Sequence, residues 1–222
     1  MAEYIVKIIN IENVTHDVKH FVVEKPAGYK FTPGQATDVS INKPEWKNDK
    51  NPFTFTSLND SENLEFVIKG YPSHHGVTDA LHHLKPGDEL IIREPFGAIA
   101  YKGKGVFIAG GAGITPFIAI FRQLYKDNLI DDNKLIFSNK TSKDIILKEE
   151  FEKMLGHNFI NVLTEEKIPG IHNKRIDKDY LKQVIRDFNQ HFYLCGPDKF
   201  TESIQNALIE LGAKVDTLVF EK

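Results

Sequence analysis

The stretch Gly105-Val106-Phe107-Ile108-Ala109-Gly110-Gly111-Ala112-Gly113-Ile114-Thr115-Pro116 restricts this chain more than any other. Val106 to Ala109 is an unbroken apolar run. A strand without polar alternation must be covered on both faces, as in a parallel sheet flanked by helices. The glycines that follow allow a tight turn and let a ligand approach the backbone with no Cβ in the way. Thr115-Pro116 then opens a helix, with threonine as N-cap and proline in the first turn, where its missing N–H is not needed. Strand, glycine turn and helix N-terminus make a site for an anion, best a phosphate or pyrophosphate. The spacing is G-x-G-x-x-P, not the G-x-G-x-x-G of the common dinucleotide fingerprint, and a plain strand–turn–helix with small packing residues also satisfies it.

Around this stretch the chain keeps two rhythms. Before it, short β-branched or aromatic segments near 3–11, 18–24, 36–41, 53–57, 64–69 and 88–93 are separated by turn residues such as Pro33-Gly34, Asn59-Asp60 and Pro86-Gly87-Asp88. Six short strands at this spacing favour an antiparallel β-barrel. A short helix interrupts them at Gly76–Leu84, with Val77, Leu81 and Leu84 on one face. After Tyr101, strands near 105–109, 133–137, 159–163, 191–195 and 214–219 alternate with helices near 115–126, 144–155, 177–187 and 198–211. That alternation means a parallel, Rossmann-like sheet with helices on both faces. The expected fold is therefore an N-terminal β-barrel domain, residues 1–100, followed by an α/β domain, residues 101–222, joined around Gly97–Gly103.

Bulk properties exclude several classes. A net charge of −3 gives no general reason to expect nucleic acid or an anionic membrane as partner. No run of about 18 apolar residues predicts a membrane span. The opening Met1-Ala2-Glu3-Tyr4-Ile5 moves straight into alternation and lacks the regions of a signal peptide. The one cysteine, Cys195, rules out an internal disulfide and a four-cysteine iron–sulfur cluster within these residues. A cytoplasmic protein is the expectation.

A series of short motifs narrows the function. In order they are Pro33-Gly34-Gln35, Asn51-Pro52-Phe53-Thr54-Phe55-Thr56-Ser57, Gly76-Val77-Thr78, Pro95-Phe96-Gly97, the Gly110–Pro116 turn and Cys195-Gly196-Pro197. Together they resemble the ferredoxin–NADP reductase superfamily, over nearly the whole chain. The resemblance implies FAD on the barrel, a nicotinamide nucleotide on the α/β half, and hydride transfer between them. It assigns Asn51, Pro52, Phe53 and Thr54 to the flavin motif R-x-Y-[S/T]-x-x-S, with Thr54 beside flavin N5. Asn51 replaces the family's arginine on the flavin phosphates, and Phe53 lacks the tyrosine hydroxyl. A neutral amide grips a phosphate less well than a guanidinium, by about 1–2 kcal/mol. Val67 and Ile68 match the strand that lines the flavin ring, and Lys69 is either a phosphate partner or a solvated strand end. Gly76, Val77 and Thr78 match a second phosphate site.

In the second half the resemblance places Gly110, Gly111, Gly113 and Thr115 on the nucleotide, with Cys195, Gly196 and Pro197 beside the nicotinamide. Thr54, Cys195 and Glu221 form the implied transfer site. Phe220 is the nearest aromatic for the flavin shield that relatives carry at the C-terminus. Thr164 and Glu165 stand where NADPH-using relatives have Ser-Arg. Carboxylates repel a 2′-phosphate, which favours NADH, whereas Lys140 and Lys143 supply charge that suits NADPH. His74, His75, His82 and His83 lack a carboxylate or cysteine to complete a metal site and are expected as exposed helix histidines. Trp46 lies in a polar loop and either contacts the FAD adenine, meets a partner or simply packs. The implied acceptor is a redox partner protein or a small electron acceptor. Two alternatives stay open: a flavin reductase with diffusible flavin, and a flavin-binding subunit without catalysis of its own.

Overall fold

The computed structural model describes residues 2–130 and 132–220. Six strands build the first half: β1 (Glu3–Asn13), β2 (Val18–Val23), β3 (Ala36–Ile41), β4 (Asn51–Thr54), β5 (Leu64–Lys69) and β6 (Glu89–Arg93). They pair antiparallel in the order β4-β3-β6-β1-β2-β5. A bridge between Phe55 and Phe66 brings the two ends of the sheet together, so the barrel is nearly closed. The period of two sends Val6 and Ile8, Phe21 and Val23, Val39 and Ile41, Leu64 and Phe66, and Leu90 and Ile92 into one core. Aromatic stacking consolidates it, with Phe31 and Phe55 at 4.2 Å between ring centroids. Helix α1 (Val77–His82) plugs one end with Val77 and Leu81, and Leu84 follows them into the core as the sequence pattern requires.

The second half is a parallel sheet of β7 (Gly105–Gly110), β8 (Lys134–Asn139), β9 (Phe159–Leu163), β10 (His172–Asn173), β11 (His191–Cys195) and β12 (Leu218–Phe220). Its order is β10-β9-β8-β7-β11-β12. Helices α2 (Thr115–Lys126) and α3 (Lys148–Leu155) cover one face, and α4 (Lys178–Val184) and α5 (Asp198–Glu210) the other. The apolar run in β7 explains this directly. Phe107 and Ala109 pack with Phe117, Phe121 and Phe151, whereas Val106 and Ile108 pack with Tyr180, Leu181, Ile204 and Leu208.

The halves share a core along α2. Val18, Val67 and Ile99 belong to the same cluster as Phe117, Ile120 and Phe121. Gly34 has φ +101°, and a Cβ there would lie 2.4 Å from the Ile99 carbonyl oxygen. Only glycine permits that approach. The connection between the sheets is pinned from below by Tyr193 of β11. Its hydroxyl accepts from the N–H groups of Lys102 (2.9 Å) and Gly103 (3.1 Å) and donates to the Gly103 carbonyl (2.7 Å).

Several boundaries differ from expectation for identifiable reasons. The flavin-motif strand ends at Thr54, because Thr56 and Ser57 turn inward to buried positions. The expected 144–155 helix begins at Lys148. Residues 142–144 form a single tight turn closed by a Thr141–Asp144 capping box. Ile145 is extended (ψ 102°) and Leu147 is left-handed (φ +51°), so the backbone leaves the helical region until Lys148. Helix α4 stops at Val184, whose carbonyl accepts from Lys134 Nζ, and Ile185 enters the core in extended conformation. The expected strand 214–219 is a tight turn over Val215–Thr217 and then β12. β10 has two exposed residues and no hydrophobic pattern to announce it. Among the described residues, no helix is long and apolar enough to cross a membrane.

Candidate functional site

Strand order creates the site. The chain steps from β7 outward through β8 and β9, then returns to place β11 on the other side of β7. In open α/β sheets a crevice opens at such a reversal, outside the carboxyl ends of the strands. Here the turn Gly110–Gly113 leaves β7 and the turn Cys195–Pro197 leaves β11, side by side. Gly113 makes the closeness possible, since a Cβ on it would lie 2.4 Å from the Cys195 carbonyl oxygen and 2.6 Å from Gly196 Cα.

A cleft of about 650 Å³ lies over these turns. The α/β half contributes Gly110, Gly111, Gly113, Asn139, Lys140, Thr164, Cys195, Gly196, Pro197 and Phe200, and the barrel contributes Lys69 and Tyr71. Sequence reasoning missed Asn139, Tyr71 and Phe200. Asn139 ends β8 one residue before the lysine it did single out, and Tyr71 follows the flavin strand. Both amide atoms of Asn139 are buried and, among the described residues, have no hydrogen-bond partner. A buried amide in that state marks a missing polar partner. A glycine floor, this amide and the Lys140 ammonium fit a nucleotide with its phosphates.

Thr115 departs from its expected role as N-cap. Residues 111–114 form a tight turn, Thr115 is the first residue of α2, and its hydroxyl donates to the Ala112 carbonyl at 3.1 Å. The glycine turn is wound into the helix instead of ending before it.

The flavin-motif residues sit outside that cleft. Asn51, Pro52, Phe53 and Thr54 form β4, which among the described residues pairs with β3 alone before Phe55 bridges to Phe66, so its outer backbone edge is open to a ligand up to that bridge. Proline suits such an edge because it has no N–H to leave unpaired. Thr54 and Phe53 are half-buried. Val67 and Ile68 are buried in β5, and the Ile68 carbonyl meets His82 Nε2 at 2.9 Å. His82 is therefore not the exposed helix histidine of the sequence reading. Its ring packs toward Phe21 and against Gly70, and burial lowers its pKa despite that carbonyl. Gly76 opens α1, with Val77 buried and Thr78 half-buried, and shares a smaller cleft of about 310 Å³ with Trp46, His75 and Asp79. An open strand edge and a polar cleft beside an aromatic ring fit the flavin and its adenine end.

Charges around the main cleft are paired. Lys69 Nζ lies 2.8 Å from Asp17 Oδ2. Burial alone would raise the Asp17 carboxyl, but the Lys69 ammonium and Thr15 hydroxyl outweigh it and hold it low. Lys140 and Glu165, expected to act in opposite senses on the nucleotide, lie 3.4 Å apart as an exposed pair. Thr164 and Glu165 donate their backbone N–H groups to the carbonyls of Asn139 and Lys140. Among the described residues, one group has the spacing of metal ligands, His16, Asp17 and Asp144, and it includes none of the four histidines noted in the sequence. Phe220 ends β12 beside Leu194, and Glu221 lies outside the described residues.

Comparison with known proteins divides the chain into the same two halves. Residues 5–101 match the model of the oxidoreductase FAD-binding domain, and residues 107–206 that of the oxidoreductase NAD-binding domain. The chain is 30% identical over 217 residues to NADH-cytochrome b5 reductase 2 of Mycosarcoma maydis, an alignment covering 87% of this chain and 61% of the relative. It is 23% identical to the ferredoxin–NAD(P)+ reductase component of the naphthalene 1,2-dioxygenase system of Pseudomonas putida, over 92% of this chain and 64% of that one. The chain thus spans under two thirds of the length of both relatives. In fold it superposes with a TM-score of 0.87 on the flavohem-like FAD/NAD binding domain of nitric oxide dioxygenase from Vibrio cholerae, at 19% identity, covering 98% of this chain and 97% of that one.

Proposed function

The chain belongs to the ferredoxin–NADP reductase superfamily, and on that footing we propose that it is an FAD-dependent NADH oxidoreductase that delivers electrons to a separate redox acceptor. The observation that carries this reading is the two-walled cleft, in which Lys69 and Tyr71 of the barrel face the glycine turn and Cys195 of the α/β half. On this reading residues 1–100 hold FAD and residues 101–222 hold the nicotinamide nucleotide.

Flavin, once bound, supplies the hydride acceptor and the means of releasing electrons singly or in pairs. The protein supplies alignment and a dry contact. The Gly110–Gly113 turn and the N–H groups that open α2 bind the nucleotide diphosphate. Cys195, with Gly196 and Pro197, positions the nicotinamide, and the resemblance assigns Thr115 to its flank. Thr54 orients the reactive edge of the flavin through its hydroxyl. The β5 backbone at Val67 and Ile68 backs the ring, and Gly76 to Thr78 hold the flavin diphosphate. The resemblance assigns Glu221 to the transfer site, whereas Phe220, expected as the flavin shield, packs with the cluster under α4 and α5. NADH is favoured over NADPH because Glu165 already neutralises Lys140, which leaves little net positive charge there for a 2′-phosphate. The acceptor is a one-electron carrier protein, the class to which the cytochrome b5 and ferredoxin in the relatives' names belong.

The test is an absorbance spectrum of purified, dialysed protein, followed by anaerobic addition of NADH and of NADPH. Flavin bands that bleach faster with NADH support the reading. Retained flavin that neither nucleotide reduces overturns it in favour of a non-catalytic subunit. Asn51 favours one second reading, a flavin reductase, because the phosphate-gripping arginine is replaced there by a neutral amide. Colourless protein that oxidises NADH only when flavin is added selects that alternative.

A further inference from the structure

Arg122 lies in the middle of α2 and lines neither cleft, yet four of its five N–H donors are engaged. Nε and Nη2 make a forked contact with Glu150 of α3, at 2.6 and 3.0 Å. Nη1 crosses to the barrel, donating to the Thr56 carbonyl at 2.8 Å and to Glu65 Oε2 at 2.9 Å. Glu65, on β5, also meets His20 Nε2 of β2 at 3.1 Å. One guanidinium therefore spans two elements of the α/β half and two segments of the barrel.

What it joins matters more than how strongly it binds. Along α2, Arg122 sits seven residues after Thr115, roughly 10 Å down the helix that the glycine turn opens. Across the interface, its partner Thr56 is two residues beyond Thr54. The side chains are mostly shielded, with exposures of 23% for Arg122, 25% for Glu65 and 31% for Glu150. Burial opposes the Arg122 charge, and the Glu150 and Glu65 carboxylates outweigh it and raise its pKa. A planar, forked cation fixes direction as well as distance, which an ammonium does not. Apolar contacts along Val18, Val67 and Ile99 and the exposed Lys126–Asp60 ion pair also join the halves, but none of them reaches the segment beside Thr54.

We propose that Arg122 is a positioning residue, which ties the nucleotide-bearing helix to the segment carrying Thr54 and so sets the spacing between nicotinamide and flavin. The inference rests on the function proposed above. Hydride transfer needs reacting atoms held near 3–3.5 Å, and a misplacement of about 1 Å costs on the order of 100-fold.

The experiment compares Arg122→Met and Arg122→Lys with the parent in two ways. Hydrogen exchange on ligand-free protein follows residues 54–57 and 111–117. Rapid-mixing reduction of bound flavin by NADH and by 4-deuterated NADH follows the transfer step. The expected result is a limiting rate about 10- to 100-fold lower in Arg122→Met, with half-saturation for NADH within about threefold of the parent. Exchange quickens at 54–57, and Arg122→Lys recovers only part of the rate. A limiting rate within about threefold of the parent overturns the proposal, even if thermal stability falls, because that is the mark of a merely structural tie. Should Arg122→Met not fold, Glu65→Gln removes the charge on the barrel side and carries the same expectations. A parent protein that NADH does not reduce refutes the proposed function. Exchange then still decides the tie: quickening at 54–57 upholds it, and unchanged exchange there overturns it.

Discussion

Replacing Gly113 by alanine tests whether contact between the two turns is the basis of the nucleotide cleft. The new Cβ would meet three backbone atoms, at 2.4 Å (Cys195 O), 2.5 Å (Cys195 C) and 2.6 Å (Gly196 Cα). Ordinary contact begins at 3.4 Å, so the two turns must part by about 1 Å. No side chain can rotate away, because β11 is held to β7 in register, Cys195 opposite Ala109. Overpacking of this kind costs about 1–3 kcal/mol. At about 2–4 °C per kcal/mol for a chain of this size, the midpoint should fall by roughly 2–12 °C. Gly76→Ala is the comparison, since its nearest neighbour would be 3.9 Å away and its φ is −101°. It loses less than about 1 kcal/mol as a changed N-cap. Thermal melts of ligand-free protein and equilibrium dialysis with NAD+ make the measurement. A Gly113→Ala protein that melts within about 1 °C of the parent and binds NAD+ equally well refutes the packing argument.

Glu165→Arg replaces an ion pair with two adjacent cations at Lys140 and should raise the ratio of kcat/KM for NADPH over NADH by about 10-fold or more; steady-state kinetics with both nucleotides decide it, and a ratio that moves less than about threefold removes Glu165 from the argument. Asn51→Arg restores a charge-assisted phosphate contact and should tighten flavin retention by about 1–2 kcal/mol, roughly 5- to 30-fold in dissociation constant, read by fluorescence of released flavin. Acidification should loosen the Arg122 tie. The His20 contact lowers the Glu65 carboxyl first, burial opposes it, and Arg122 adds to the lowering from the ordinary 4.5. A depressed carboxyl gives stability that is full above 4.5 and is lost as pH falls through the lower folded value. Melting temperature should therefore drop more steeply in the parent than in Glu65→Gln below that pH, and parallel curves would count against the tie. Tyr193→Phe leaves the Lys102 and Gly103 N–H groups without their acceptor and should cost about 1–3 kcal/mol by denaturant titration.

The fold was legible wherever burial imposes a period. The β7 run announced a strand covered on both faces, and both faces are filled, by α2 and α3 and by α4 and α5. Val77, Leu81 and Leu84 announced the buried side of α1. What escaped were elements held by polar contacts. β10 is secured by Asn173, whose amide donates to the Leu163 and Glu166 carbonyls, and a two-residue exposed strand leaves no hydrophobic trace. The same limit governed the site. Gly110 to Gly113 and Cys195 to Pro197 stood out as glycine-rich ends of apolar strands, and the cleft joins them. Asn139 and Tyr71 have no local signature, since only the parallel register and the shared core bring them to that cleft. His82 misled for the opposite reason. It sits among three neighbouring histidines, and nothing in the sequence says that its ring turns under Gly70 toward the barrel.

Tyr193 gives the link between the halves a mechanical character. A hinge works where a few residues rotate at little cost, but residues 102 and 103 are held through a single phenol oxygen, itself rooted in the central sheet. Its ring lies stacked on Phe107 at 4.1 Å, so twisting the link would also strain the strand that ends in the glycine turn. A bending force on the barrel is thus passed to the sheet as load instead of being absorbed as motion. Nucleotide exchange is accordingly expected through the open mouth of a standing cleft, at a speed set by diffusion and local side-chain movement. Bending at residues 102 and 103 would have to break those three bonds first.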